Sequence, residues 1–340
     1  MSLISIKRSA AKRSAPKRQP KLATALGGGA LATLLGGIAY SAWVVPHELP
    51  LPNAVSGERR ELSSATAGQL SYYTAGEGEP LLLIHSINAA ASSYEVRPIY
   101  EHYAPNRKVY ALDLPGFGFS ERSDRSYTPR LFTDAVLAMV EEIQRETGAE
   151  QIDALALSLS SEFLARAASE RPEAFRSLAL VSPTAFSAGD RYYEEPGSTR
   201  GIPALQSVYK VPLWSQAFFD GLNSRASQRY YLGKTFGSEH IDKGLLEYSY
   251  QTAHQPGARF APLTFISGTL FSADIDRVYD QLDMPVWLAH GTHGDFQDYT
   301  GVGKVQNRPN WKVREFPTGA LPHFELLDVF TSDYDAFLNS

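Results

Sequence analysis

Ser158 stands where an apolar run gives way to a helical pattern, in the stretch Gln151 to Ala168, QIDALALSLSSEFLARAA. Ile152 to Leu157 reads as a buried strand, and Phe163, Leu164, Ala167 and Ala168 recur at helical spacing after it. A serine on so tight a turn takes a strained backbone, tolerated only where the residues two away on each side are small. Ala156 and Ser160 meet that demand and give small-x-Ser-x-small, a relaxed form of the G-x-S-x-G nucleophile elbow. The competing reading is a plain strand-to-helix connection in which Ser158 caps the helix. A serine hydroxyl is a poor nucleophile at neutral pH and needs a base, usually a histidine held in one tautomer by a carboxylate. Such groups gather at the carboxyl ends of the strands of an open parallel sheet. Beyond Ser158, the strand Val286 to Ala289 is followed by HGTHGDFQD, which offers Asp295 and Asp298. The strand Trp311 to Phe316 is followed by PTGALPHFE, which offers His323. Ser, Asp, His is one of the three chain orders known for such triads.

The elements that must position these groups alternate. Two strands lie between Glu61 and Thr74, split at Ala67-Gly68, and Leu81 to Ile84 is a continuous apolar run ending at His85. A helical segment from Ser93 to Tyr103 precedes the strand Lys108 to Leu112 and the loop DLPGFGFS. Residues 129 to 147 form an amphipathic helix with Phe132, Val136, Met139, Val140 and Ile143 on one face. The elbow strand, its helix and the strand Ser177 to Val181 follow, and a helix over Glu325 to Leu338 closes the chain. This pattern predicts an α/β fold, a doubly wound and mostly parallel sheet. From about residue 187 to 283 the alternation stops in an aromatic-rich stretch that reads as helices inserted between two core strands.

From Glu61 to the C-terminus the chain resembles the α/β-hydrolase fold superfamily. LLLIHSINAA resembles that family's strand and HG oxyanion loop, and ALDLPGFGFSERSD its D-x-P-G-x-G-x-S loop. ALSLS, GTHGD and LPHFE stand in the family's order and spacing. The resemblance implies Ser158 as nucleophile, Asp295 as orienting acid and His323 as general base, with Asp298 as the alternative acid. It also implies an oxyanion hole from the backbone N–H groups of Ile87 and Leu159, and a helical lid in the 187–283 insertion. The sequence departs from the family at Ser86 and Ser160, where glycines are usual, and at Gly294, where the family places its acid. A serine nucleophile excludes the family's carboxylate-based epoxide hydrolases and dehalogenases.

Composition bounds the rest. The chain has 340 residues, 43% of them hydrophobic and 20% charged, as in an ordinary globular enzyme. It has no cysteine, which excludes disulfides and thiol nucleophiles. Residues 1–21 hold seven basic groups and no acidic one, so the remaining 25 basic residues face 37 acidic ones. An acidic body makes nucleic acid an unsuitable partner. Residues 22–45 carry no charge, and at about 1.5 Å per residue a helix of that length covers the roughly 30 Å hydrocarbon core. A transmembrane anchor, a cleaved signal and a transit peptide all fit. The anchor is the expectation adopted, because the run exceeds the roughly 7–15 residues of a signal core. It puts the basic arm (1–21) in the cytoplasm and the catalytic domain (59–340) on the far side, after a proline-rich linker (46–58). His290 and His293, spaced i, i+3 without an acidic cluster, read as packing rather than metal ligands. No cofactor or metal is expected.

The function expected from these residues is cofactor-free hydrolysis of a carboxylic ester or related acyl compound through an acyl-enzyme. The aromatic insertion and membrane attachment favour an apolar substrate. Its rivals are another reaction on the same fold (C–C hydrolysis, a lyase, acyl transfer, cofactor-free peroxidation) and a catalytically retired binding protein. Rate is expected to rise with pH through the ordinary histidine value of about 6.5. Asp295→Asn is expected to cost far more turnover than Asp298→Asn; steady-state kinetics showing the reverse order would reassign the acid.

Overall fold

The computed structural model describes residues 33–340. The basic arm 1–21 and residues 22–32 of the 22–45 segment therefore lie outside the described residues. Among the described residues no helix is long and apolar enough to cross a membrane.

Eight strands form one sheet: β1 Glu58–Ser64, β2 Gly68–Ala75, β3 Pro80–Ile84, β4 Lys108–Asp113, β5 Ile152–Leu157, β6 Phe175–Val181, β7 Val286–Gly291 and β8 Trp311–Phe316. Their spatial order is β1-β2-β4-β3-β5-β6-β7-β8. β1, β2 and β4 pair antiparallel, and every pairing from β4 through β3 to β8 is parallel. The connection β3–β4 runs one way and β4–β5 crosses back over β3. Beside β3 and β5 the winding reverses and leaves a crevice at their carboxyl ends.

Besides the helical residues 33–43, the α-helices are α1 Arg97–Tyr103, α2 Pro129–Thr147, α3 Ser160–Glu170, α4 Pro203–Tyr209, α5 Pro212–Leu222, α6 Arg225–Phe236, α7 Lys243–Ala253, α8 Phe260–Ile266, α9 Ile275–Asp280, α10 Pro322–Glu325 and α11 Leu327–Leu338. α4 to α9 all fall between β6 and β7, where the sequence pattern places an insertion.

Strand periodicity explains why both faces are covered. Leu82, Ile84, Ala154, Ala156, Leu178, Leu180, Val286 and Leu288 join one apolar cluster with α2 and α3. Their neighbours Leu81, Leu83, Leu155, Leu157, Ala179, Val181, Trp287 and Ala289 join a second with α1 and α11. Trp287 anchors the second face, stacked on Tyr334 at 5.2 Å between ring centres. Continuous apolar strands are thus read by both layers at once.

One buried polar cluster ties the amino ends of the strands together. Asp153 on β5 is fully buried and accepts from Ser177 Oγ at 2.6 Å, Arg176 Nε at 3.0 Å and the Arg107 guanidinium. Burial pushes its pKa up, but Arg176, Ser177 and Arg107 outweigh that and hold it below the ordinary carboxylate range. Removing one partner of a buried pair leaves an uncompensated charge and costs about 3–5 kcal/mol, whereas exposed pairs are worth roughly 0–1 kcal/mol. Thermal denaturation of Asp153→Asn should therefore show a loss several times that of Glu173→Gln, whose ion pair with Arg171 is exposed; equal losses would contradict the assignment.

Candidate active site

β5 delivers Ser158 to the crevice. Its φ of 51° lies in the left-handed region, which non-glycine residues enter at a cost of roughly 1–3 kcal/mol. The turn is pinned from both sides: Ser158 N–H donates to Val181 O at 2.8 Å on β6, and Ser161 N–H donates to Ser158 O at 3.0 Å. Ser158 is partly exposed, while Ala156, Leu157, Leu159 and Ser160 around it are buried. Ser160, one of the departures from glycine, has a definite use. Its hydroxyl donates to His85 O at 2.6 Å and so ties the first turn of α3 to the end of β3.

The loop after β3 is held as firmly. Leu114 N–H donates to His85 Nε2 at 3.0 Å, which leaves the proton on Nδ1 to be donated to Ser86 O at 2.6 Å. Burial lowers the His85 pKa, in keeping with a neutral ring. The Glu95 carboxylate accepts from Ser86 N at 2.8 Å and from Asn88 Nδ2 at 2.6 Å. Between these fixed points Ile87 is buried, and among the described residues neither its N–H nor that of Leu159 has a hydrogen-bond partner. The pairing Ile84↔Ala156 sets the two segments side by side. Asp113 braces the neighbouring loop, accepting from Ser93 N at 3.0 Å, Ser93 Oγ at 2.7 Å and Phe119 N at 2.9 Å. Gly118 must be glycine, since its φ is +52° and a Cβ would lie about 2 Å from the Asp113 carboxyl group.

His323 sits on α10, fully buried against Phe324 and Phe330. Its Nε2–H donates to the Glu95 carbonyl at 2.7 Å, and its Nδ1 has no partner. Burial pushes its pKa down to about 4, against the opposing effect of the Glu95 hydrogen bond. No hydrogen bond joins His323 to Ser158, to Asp295 or to Asp298 among the described residues.

These positions lie inside a recognisable family pattern. The model of the α/β hydrolase fold family matches residues 79–325. The chain belongs to the α/β hydrolase fold family. Hydrolysis is the reaction class that membership supports. A 199-residue stretch is 31% identical to the dihydrolipoyllysine-residue acetyltransferase component of the acetoin cleaving system of Cupriavidus necator, covering 55% of this chain. The chain spans about half the length of that relative (49%). Among solved structures, it is similar to a bacterial membrane phospholipase A (18% identity, TM-score 0.63, 94% of this chain and 96% of that one). It is also similar to a thermophilic esterase from Thermogutta terrifontis (15% identity, TM-score 0.63, 83% and 98%). At these identities the structures show the fold alone.

Gly294, at the family's acid position, explains the displaced carboxylate. Its φ is +80° and a Cβ would stand 2.5 Å from Lys234 O and 3.0 Å from Gly237 N, so no aspartate fits there. The next residue, Asp295, is more than half exposed and its Oδ1 lies 3.3 Å from Lys234 Nζ. Asp298 is exposed too and accepts from Ala188 N at 3.0 Å and Thr300 Oγ1 at 2.7 Å, bonds that lower its pKa. His290 stacks on Tyr299 at 4.2 Å, and His290 Nδ1 lies 3.0 Å from Gly291 O.

Two buried acids, Glu95 and Glu162, stand near Ser158 in the structure or the chain without a signal in the apolar spacing. Glu95 was the more accessible: Ser92-x-x-Glu95 has the form of a capping box. Its carboxylate instead turns to Ser86 and Asn88. Glu162, four residues after Ser158, is fully buried and accepts from Thr184 Oγ1 at 2.6 Å, Ser272 N at 2.8 Å and Arg200 Nη2 at 3.2 Å. Burial raises its pKa despite Arg200, and no periodicity marks a carboxylate on the packed face of a helix.

The pocket at the loop after β3, walled by Ala89, Ala90, Gly116, Phe117 and Arg122 among others, has a volume of about 10 Å³, room for one water. Because the elbow stores strain that glycine does not feel, Ser158→Gly should unfold at a higher temperature than Ser158→Ala, by an amount equivalent to about 1 kcal/mol. Differential scanning calorimetry giving the opposite order would show that the turn is relaxed.

Proposed function

We propose that the chain is a serine hydrolase that cleaves a carboxylic ester or related acyl compound. The observation that carries the reading is Ser158 on a left-handed turn beside two unpartnered buried-loop N–H groups, those of Ile87 and Leu159. Such donors, aimed at charge that develops on a carbonyl oxygen, contribute several kcal/mol each in a water-poor site. Ser158 Oγ attacks the acyl carbon while His323 takes its proton; the imidazolium then protonates the leaving group, and water repeats the cycle to release the acid. For this, His323 leaves the Glu95 carbonyl, its ring proton passes by way of solvent from Nε2 to Nδ1, the bare Nε2 turns to Ser158, and Asp295 exchanges Lys234 for His323 Nδ1–H. The structure described is, on this account, the resting form. The helical insertion acts as the lid whose displacement admits substrate, and its exposed Ile202, Val208, Leu213 and Phe218 suit an apolar acyl chain.

Membrane attachment through the N-terminal segment is part of the same proposal. Residues 33–43 are helical and leave Leu34, Leu35, Tyr40 and Trp43 exposed, and they fall within the uncharged sequence 22–45. The similar membrane phospholipase A aligns over nearly the whole chain, which is in keeping with a lipid-like ester.

A retired binding protein is the second reading, favoured by the separation of His323 from both Ser158 and an acid. Kinetics separate the two. Wild type should hydrolyse p-nitrophenyl esters and prefer longer acyl chains, with Ser158→Ala reduced about a thousandfold or more. The ionisation seen in kcat/KM belongs to the free enzyme. Burial lowers the pKa of His323, so the neutral base survives below its ordinary 6.5 and is lost only as pH falls toward about 4. The inflection should accordingly lie below 6.5, and one at or above 6.5 would mean that the resting imidazole is solvated.

A further inference from the structure

Away from the elbow, α4, α5 and α8 enclose a pocket of about 130 Å³ with the 124–125 loop at its wall. That is about ten times the roughly 10–15 Å³ that a single water needs. Three cationic side chains line it: Arg125, Lys210 and Arg259. Arg125 donates to the carbonyl oxygens of Ala67 at 3.0 Å and Thr66 at 3.1 Å. Arg259 donates to Gln216 Oε1 at 2.7 Å and stacks over Phe260 at 4.3 Å. The Lys210 side chain makes no hydrogen bond, its backbone N–H donating to Gln206 O at 3.1 Å, and none of the three has a carboxylate within 4 Å of its charged nitrogens among the described residues. Elsewhere Arg60, Arg130, Arg166, Arg176 and Arg308 are each ion-paired. Asp124 is the one acid on the wall and has no ion-pair partner either. The wall thus carries three cations against one carboxylate, with the Glu121 carboxylate outside it also feeling the Arg125 charge.

The rim is apolar. Val208, Leu213 and Phe218 on α4 and α5 are exposed, and Tyr209 on the pocket wall stacks on Phe218 at 5.2 Å. The N-terminal segment arrives at the same helix: Ser41 Oγ donates to Asp220 Oδ2 of α5 at 2.5 Å, and His47 Nε2 lies 3.0 Å from that oxygen. An anion with an apolar extension satisfies wall and rim together. We propose that this pocket is an anion site for a phosphate group, supplied by the head of a membrane phospholipid. The Arg259 guanidinium presents its remaining donors to the phosphate oxygens, Lys210 adds a mobile charge, Arg125 contributes charge while it stays bound to the Ala67 and Thr66 carbonyls, and the acyl region lies along the exposed side chains of α4 and α5.

Isothermal titration of the full chain with inorganic phosphate and with a short-chain phosphatidylglycerol below its micelle concentration tests this, in wild type and in Lys210→Gln/Arg259→Gln. The expected result is binding of both, the lipid at least tenfold tighter, each weakened at least tenfold in the double variant and by added salt. Equal affinities would keep the anion site and assign it to free phosphate. No binding of either, or binding unchanged by the double substitution, would overturn the proposal. Fluorophosphonate labelling of Ser158 in the double variant serves as the control for folding. Phosphate binding without any labelling of wild type would refute the hydrolase reading and leave this one standing.

Discussion

A left-handed backbone at one serine is the constraint on which the rest of the molecule depends. At φ 51° Ser158 is held by a hydrogen bond to β6 and by the first turn of α3, so its strain is offset by order on both sides. The small residues at 156 and 160, the adjacency of β3 and β5, and the reversal of winding between them all serve that one turn. Where glycine would merely permit the approach of α3 to β3, Ser160 fastens it through the His85 carbonyl. The serine thus strengthens the connection between the turn at Ser158 and the end of β3.

Glu95 is the second centre of the site. One residue holds the loop through its carboxylate and the imidazole of His323 through its carbonyl. A buried Nδ1 without a partner carries a desolvation cost of about 1–3 kcal/mol, so the arrangement favours any rearrangement that brings a hydrogen-bond donor to it. Glu162 plays a comparable part on the other side, joining α3 to Thr184, Arg200 and Ser272. Arg200 is itself sandwiched between Tyr192 and Phe271, and Arg166 of the same elbow helix pairs with Asp274, so two charged contacts anchor the insertion to that helix, one of them inside an aromatic clamp.

Much of this was legible in the sequence because the strands are buried on both faces and the helices are amphipathic. α2 is found over residues 129–147, and β8 over 311–316, at the limits that apolar spacing indicates. The elbow was readable because steric demand at a turn leaves a local mark, two small residues around a serine. The acid was less so. Whether Asp295 meets His323 depends on Lys234, which lies sixty-one residues away, and on a glycine whose conformation the sequence does not display. Glu95 and Glu162 were hidden for a related reason, since a carboxylate satisfied by distant N–H and hydroxyl groups resembles a surface one along the chain.

Reactivity of Ser158 tests the central claim most directly. The full chain treated with a fluorophosphonate at neutral pH, digested and mapped by mass spectrometry, should carry one phosphonyl adduct, on the peptide that contains Ser158. A folded protein that stays unmodified at Ser158, or that is modified at another serine with equal speed, would show that the strained turn does not make this hydroxyl a nucleophile.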